Sequence, residues 1–366
     1  MAKVDLKSAY RSVRIHPSST QWTGLHWTFE GDSAPTFQRD SRLPFGDRKA
    51  PAIFHRLTQS IRRHLRRQGF DAVVVYLDDF FICAPTFGEC QAALNSVIGL
   101  LRSLGFGIAW EKVEGPSKQV TFLGVTINSQ SGILSLDTVK TTHLIAHLQR
   151  CLTHKQLQRL AGKLSWASNV IPWGRTHVRR IFAIMNTKAD HHKVRVQPLL
   201  EDLDWWTAVL QIPSLCRRIW DRRPTVTVRC DASADAGGAF CQGDWYYTAW
   251  LPDSPHLTSA HINVKELAIT VSALHRWAPQ LQRRHVVIVT DNSAAQAMLN
   301  KDTSPCSPAA RLLRQLSSLA IALDITVSAI HIPGADNHIP DAISRLHLPG
   351  QPSVWSPFSP PSLALC

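Results

Sequence analysis

Val73-Val74-Val75-Tyr76-Leu77-Asp78-Asp79-Phe80-Phe81-Ile82-Cys83 sets two short apolar runs around a pair of acids. β-Branched and aromatic residues favour strands, so the stretch reads as a hairpin, Val73 to Leu77 and Phe80 to Cys83, with Asp78-Asp79 as its two-residue turn. Asp-Asp is ordinary turn chemistry, and taken alone that reading suffices. Against it stands the cost of adjacent like charges between strongly apolar strands, which a divalent cation would relieve. A third acid, Asp5, closes another short apolar strand that starts at Ala2. Phosphoryl transfer to a 3′-hydroxyl uses two metal ions about 4 Å apart, bridged by carboxylates. Asp5 and Asp78 can supply such a bridge.

The chain has 366 residues, enough for two or three domains each with its own interior. Forty Lys and Arg against 27 Asp and Glu give a net charge of +13, with 17 further His, which points to a polyanionic partner. Membrane-surface binding is the competing use of positive charge, but no basic amphipathic helix or lipidation signature accompanies it. The most apolar late run, Leu319 to Ile332, is broken by Asp324, Ser328 and His331. The eight cysteines, at 83, 90, 151, 216, 230, 241, 306 and 366, stand singly and follow no secretory leader. They read as reduced thiols of an intracellular protein of the cytoplasm or nucleus. The abrupt start in a strand reads as an N-terminal truncation.

Along the chain, residues 1–128 mix short strands with helices such as Cys90 to Leu104, an α+β pattern. Residues 129–222 are mainly helical, with an apolar stripe of Leu157, Leu160, Ala161 and Leu164 continued by Leu203 and Trp206 and broken once at Pro172-Trp173-Gly174. After the connector Arg222-Arg223-Pro224, residues 223–347 form a second, α/β region with a mixed sheet. Residues 348–366 form a Pro-rich extended tail.

That second region carries four further acids. Asp231 ends an alternating strand from Thr225, Glu266 sits in the first turn of a helix, Asp291 follows the strand Val286 to Val289, and Asp341 follows Pro340 near a helix start. Each acid alone has a plain structural reading, such as a carboxylate favouring the helix macrodipole. As a set they suit Mg²⁺, which takes oxygen ligands and supports hydrolysis of a phosphodiester by two ions.

Three ordered motifs in the first region resemble those of reverse transcriptases: Val4-Asp5-Leu6-Lys7-Ser8-Ala9-Tyr10, Leu43-Pro44-Phe45-Gly46 through Phe54, and Tyr76-Leu77-Asp78-Asp79. The resemblance implies a polymerase palm with most of the fingers missing. Asp5, Asp78 and Asp79 would then be metal ligands and Tyr10 the gate that rejects a 2′-hydroxyl. Phe45 and Gly46 would line the nucleotide pocket, Lys112 would be the late palm lysine, and Phe122-Leu123-Gly124 the primer grip.

Cys230-Asp231-Ala232-Ser233, Val264-Lys265-Glu266-Leu267, Val289-Thr290-Asp291-Asn292-Ser293 and Ile339-Pro340-Asp341-Ala342-Ile343-Ser344-Arg345 resemble ribonuclease H in order and flanks. The approach His331-Ile332-Pro333-Gly334-Ala335-Asp336-Asn337 is similar to that of retroelement versions. Neither His331 nor His338 is assigned as a catalytic histidine, and strand packing is the reading for His331. In the helical region, Leu157 through Ala167 and Leu203-Asp204-Trp205-Trp206 look like DIRS-type, tyrosine-recombinase retrotransposons. The resemblance as a whole implies an RNA-directed DNA polymerase joined to a nuclease for RNA–DNA hybrids, with two Mg²⁺, or Mn²⁺, per site. Its partners would be an RNA template, a DNA primer, the hybrid and deoxynucleoside triphosphates. A remnant that binds nucleic acid, or keeps the nuclease alone, is the alternative. Arg62 to Arg67 and His177 to Arg180 are basic patches for phosphates or solvated helix faces, with Trp166, Trp173 and Trp205 as nearby surfaces.

Overall fold

The computed structural model describes residues 1–148, 153–186, 197–212, 215–251 and 253–348, so Cys151, Cys366 and the expected tail from 349 lie outside the described residues. It divides into two compact units, residues 1–132 and the chain from 133 onward.

In the first unit, β1 (Ala2–Lys7) is followed by the hairpin β2 (Gly24–Trp27) and β3 (Thr36–Arg39) and by helix α1 (Ala50–Arg67). Next come β4 (Val73–Tyr76), β5 (Asp79–Ile82), α2 (Phe87–Ser103), β6 (Gly107–Ile108), β7 (Gln119–Phe122) and β8 (Val125–Asn128). The order β4-β5-β1-β6 makes an antiparallel sheet with β1 inside it. Helix α1 has Pro near its start, where no N–H is needed, and turns Phe54, Thr58, Ile61 and Leu65 inward. That spacing of three and four residues is one helix face. Thr86 and Glu89 close a capping box that starts α2. The core gathers Val4, Phe54, Leu65, Phe80, Ile82 and Leu101, all almost fully enclosed.

The expected turn moves by one residue. Tyr76 pairs with Asp79, so Leu77-Asp78 is the turn and Asp79 already belongs to β5. Leu77 has φ 52°, a left-handed conformation that costs a branched side chain of order 1 kcal/mol or more.

The second unit opens with β9 (Ile133–Leu136), α3 (Thr138–Leu148), α4 (His154–Ala167), α5 (Gly174–Met185), α6 (Leu200–Val209) and β10 (Arg217–Arg218), which pairs antiparallel with β9. Thr153 and Gln156 form the capping box that begins α4. Leu157, Leu160, Ala161 and Leu164 are buried with Leu203 and Trp206, as the apolar stripe predicts. Then follow β11 (Thr225–Ala232), β12 (Ala236–Cys241), β13 (Asp244–Ala249), α7 (Ile262–Arg276), α8 (Ala278–Leu281), β14 (His285–Thr290), α9 (Ser293–Lys301), α10 (Ser307–Ala322), β15 (Thr326–His331) and α11 (His338–Ser344). The order β13-β12-β11-β14-β15 is a mixed sheet, antiparallel from β13 to β11 and parallel from β11 to β15.

A buried ionic cluster joins the helical part to the sheet part within this unit. The Asp202 carboxylate, wholly enclosed, receives bonds from His177 Nδ1 at 2.9 Å and Arg314 Nε at 3.1 Å, and pairs with Arg180 Nε at 3.1 Å. The other ring nitrogen of His177 meets Ser317 Oγ at 3.0 Å, and the Trp205 ring stacks on the imidazole at 3.8 Å. This corrects the reading of His177 to Arg180 as a phosphate patch, because His177 and Val178 are buried and Arg180 is paired with Glu201 and Asp202. Trp173 is buried in the core around the mixed sheet, so it is no surface for nucleic acid, and Trp205 is committed to the imidazole. In the first unit Arg62 donates to the Val73 carbonyl, whereas Arg66 makes an exposed pair with Asp71 and stays open to solvent. Among the described residues no helix is long and apolar enough to cross a membrane.

Removing the centre of a buried ion cluster leaves uncompensated charge inside the protein, a loss of about 3–5 kcal/mol. Asp202→Ala is therefore expected to lower the thermal midpoint of the second unit by several degrees in circular-dichroism melts. An unchanged midpoint would show that the cluster is solvated in solution.

Candidate active sites

The mixed sheet gathers its acids at one end. Asp231 is the penultimate residue of β11, and Asp291 follows the last residue of β14, the parallel neighbour of β11. Carboxyl ends of adjacent parallel strands are where open sheets leave a crevice. Glu266 reaches them from α7, in its second turn rather than the expected first, so packing on the sheet and not the macrodipole places it there. Its Oε1 accepts the Ala232 N–H at 3.2 Å and its Oε2 the Thr290 hydroxyl at 3.4 Å. Lys265 beside it donates to the carbonyls of Ala234 and Thr258 and so ties α7 to the loop after β11.

Ligand oxygens of Asp231, Glu266 and Asp291 lie within 4.8 Å of one another, and no other trio of metal-ligating side chains does so among the described residues. Burial, reinforced by the neighbouring acids, pushes the Asp231 carboxyl up to about 6 although the Ser344 hydroxyl opposes the shift. The same two causes push Glu266 up to about 8. Enclosed carboxylates this close repel one another unless protons or a cation intervene. The donor set is all oxygen, which fits Mg²⁺ or Mn²⁺.

Asp341 is set apart. It lies on α11, where Arg345 Nε and a terminal guanidinium nitrogen bond its Oδ1 at 2.9 and 2.7 Å. Residues not singled out from the sequence bring α11 to the sheet. Gly238 lies directly across from Asp231 in the β11–β12 register. A Cβ there would fall 2.5 Å from the Pro340 carbonyl and the Ser344 nitrogen, so only glycine admits the helix. Ser344 Oγ then lies 2.7 Å from Asp231 Oδ2 and 2.9 Å from the Asp341 carbonyl. Asn337, fully buried, donates to the Cys230 carbonyl and fixes the approach to α11. The Gly237-Gly238 pair inside a strand was the available signal, since glycine there marks a close approach. His331 is not packed in the strand as expected. It is exposed at the end of β15, with its ring 2.9 Å from the Asp291 carbonyl. His338 opens α11 and is exposed.

The acids of the first unit meet differently. Asp5 lies inside β1, not at its end, and is the register partner of Asp79. Asp78 stays in the turn, where its carbonyl accepts the Leu6 N–H. Burial, then the charges of Asp5 and Asp78, push Asp79 up to about 6. Lys112 Nζ is 3.2 Å from Asp5 Oδ2, and this pairing raises the lysine. Tyr10 is wedged between Phe45 and Phe54, each ring centroid 5.2 Å away. Phe45 is largely exposed, and Gly46, at φ 92°, has open space around it. Phe122 and Val125 flank the two-residue turn Leu123-Gly124, with positive φ at both turn positions.

Comparison with known proteins gives the class. Residues 1–127 match the family described as reverse transcriptase (RNA-dependent DNA polymerase). The chain is 23% identical to Polyprotein P3 of Commelina yellow mottle virus, over 94% of its own length and 18% of that protein. It is 20% identical to the putative enzymatic polyprotein of Cassava vein mosaic virus, over 94% of the chain and 52% of that protein. The Gag-Pol polyprotein of Gibbon ape leukemia virus is 28% identical over 33% of the chain, which spans 7% of it. Among solved structures, the foamy viral protease-reverse transcriptase dRH in complex with double-stranded DNA aligns over 90% of this chain and 56% of that one, with a TM-score of 0.52 and 17% identity. The foamy viral protease-reverse transcriptase in complex with an RNA/DNA hybrid aligns over 98% and 45%, with a TM-score of 0.50 and 18% identity. Residues 1–127 are thus similar to the reverse transcriptase domains found in retroelement polyproteins, and the chain spans only part of the length of the relatives it matches.

The raised acids set a direction for stability. Asp231 and Glu266 hold protons to higher pH folded than unfolded, so the folded state binds more protons and stability falls as pH rises from the ordinary carboxylate range to about 8. In chelator, the thermal midpoint is expected to drop between about pH 5 and about pH 8. Millimolar Mg²⁺ should flatten that drop, because a ligand that binds only the folded state stabilises it. Identical slopes with and without Mg²⁺ would contradict a cation at this cluster.

Proposed function

We propose that the second unit is a ribonuclease H-type nuclease that cuts the RNA strand of RNA–DNA hybrids, and that the first unit is the palm of the RNA-directed DNA polymerase to which it is fused. The observation that carries the nuclease reading is the convergence of Asp231, Glu266 and Asp291 at the carboxyl end of β11 and β14. In this reading residues 1–128 are palm with partial fingers, 129–222 the connection, and 223–347 the nuclease. The DIRS-type placement rests on the sequence resemblance of Leu157 to Ala167 and Leu203 to Trp206 alone; both stretches lie in helices of the connection.

Divalent cations at the trio would supply a hydroxide nucleophile and charge for the leaving oxygen. The chain's own part is positional. Ala232 N–H and Thr290 orient Glu266, Ser344 orients Asp231, and His331 holds the backbone at Asp291. In the palm, Asp5, Asp78 and Asp79 would hold the cations. Tyr10, braced by Phe45 and Phe54, would face the sugar edge of a deoxynucleoside triphosphate, and Gly46 would allow close approach. RNA template, DNA primer and hybrid are the partners this reading requires, and the net charge of +13 suits them.

A chain that keeps the nuclease alone is the second reading. It is favoured by two observations: the palm acids do not form a trio as tight as the nuclease acids, and Lys112 pairs with Asp5.

With Mg²⁺ and a hybrid labelled on the RNA strand, the parent chain is expected to release short labelled fragments. Asp291→Asn should reduce the rate at least a hundredfold, and equal cleavage by both proteins would remove the nuclease assignment. In primer extension on an RNA template, the parent should incorporate deoxynucleotides and Asp78→Asn should not. No incorporation by the parent, with hybrid cleavage intact, would select the nuclease-only reading.

A further inference from the structure

The fourth acid of the nuclease site is already engaged. Asp341 Oδ1 receives two N–H groups of Arg345, at 2.9 and 2.7 Å, and Asp341 is not among the three residues whose ligand atoms converge. Both partners are half-exposed, so water and cations reach them. The backbone beneath is fixed: Gly238 leaves no gap between β12 and the turn Pro340–Ser344, and Ser344 ties that turn to Asp231. Asp341 is close enough to act electrostatically on Asp231. What can change is therefore the carboxylate's choice of partner, guanidinium or cation, and not the position of the helix.

We propose that Arg345 holds Asp341 as a counter-ion which a second divalent cation must displace, so that the trio fills first and the Asp341 side fills second and more weakly. This inference rests on the nuclease reading and adds an order of filling to it. Arg345 is a positioning residue here, acting through Asp341. No carboxylate of the trio is paired with a Lys or Arg among the described residues, although the Arg345 charge also acts on Asp231 without pairing with it. The trio's oxygens are left to one another and to hydroxyl or backbone N–H donors. An exposed carboxylate–guanidinium pair is weak, and losing it should tighten the competing equilibrium by about two- to fivefold.

The test is calorimetric titration of Mn²⁺, without nucleic acid, into the full chain carrying Asp78→Asn and Asp79→Asn to silence the palm acids. That background should show two classes of site. Adding Arg345→Gln should tighten the weaker class about two- to fivefold and the tighter class clearly less, because only Asp341 loses a direct contact. Arg345→Lys, which keeps the charge but loses the two-pronged contact, should fall between. Equal tightening of both classes by Arg345→Gln would mean that only the removed charge matters, and no change in either class would mean that Arg345 does not compete. Either result overturns the inference while leaving the trio as a metal site. Adding Asp291→Asn separates the underlying reading: loss of the tighter class supports it, and unaltered binding removes the metal centre and the inference with it.

Discussion

Three carboxylates that repel one another are held together at the end of β11 and β14, and much of the second unit serves to hold them there. Burial and mutual repulsion push Glu266 and Asp231 far above the ordinary carboxylate range. A fold built only for stability would place a lysine or arginine among such groups or replace them with apolar residues. Here the compensating donors are two hydroxyls and a backbone N–H, which orient the oxygens without neutralising them. That arrangement leaves room for a cation.

The surrounding architecture follows from this constraint. The parallel pairing of β11 and β14 puts two acids on neighbouring strand ends, and α7 packs on the sheet to deliver the third. Helix α11 can deliver the fourth only because Gly238 has no side chain. Elsewhere in the same unit, Asp202 shows the opposite treatment of a buried acid, surrounded by His177, Arg180 and Arg314. One buried carboxylate has several positive partners and joins two parts of the fold. The other three lack such partners and lie at a sheet's carboxyl end.

Order and flanking residues made the acids legible from sequence, because each sits at the end of a strand or on a helix whose periodicity is plain. Leu157, Leu160 and Leu164 likewise announced the helix and its buried face. What stayed hidden was whatever depends on contacts between distant segments. The one-residue shift that puts Asp79 in β5 follows from strand register, and the position of Glu266 in the second turn follows from where α7 starts. His177 and Arg180 looked like a basic patch, because local sequence does not reveal that Asp202, 25 residues away in the chain for His177, sits between them. Gly238 falls in no motif and Ser344, although inside the run that ends in Arg345, carries no charge, yet they decide where Asp341 and the Asp231 carboxylate stand.

The claim that the Asp231, Glu266 and Asp291 cluster is a divalent-cation centre has one most direct measurement: anomalous diffraction at the manganese edge from crystals grown with Mn²⁺. An anomalous peak within ligand distance of oxygens from all three side chains is the expected result. Well-ordered carboxylates with no peak among them, at Mn²⁺ concentrations that saturate other sites in the crystal, would contradict it.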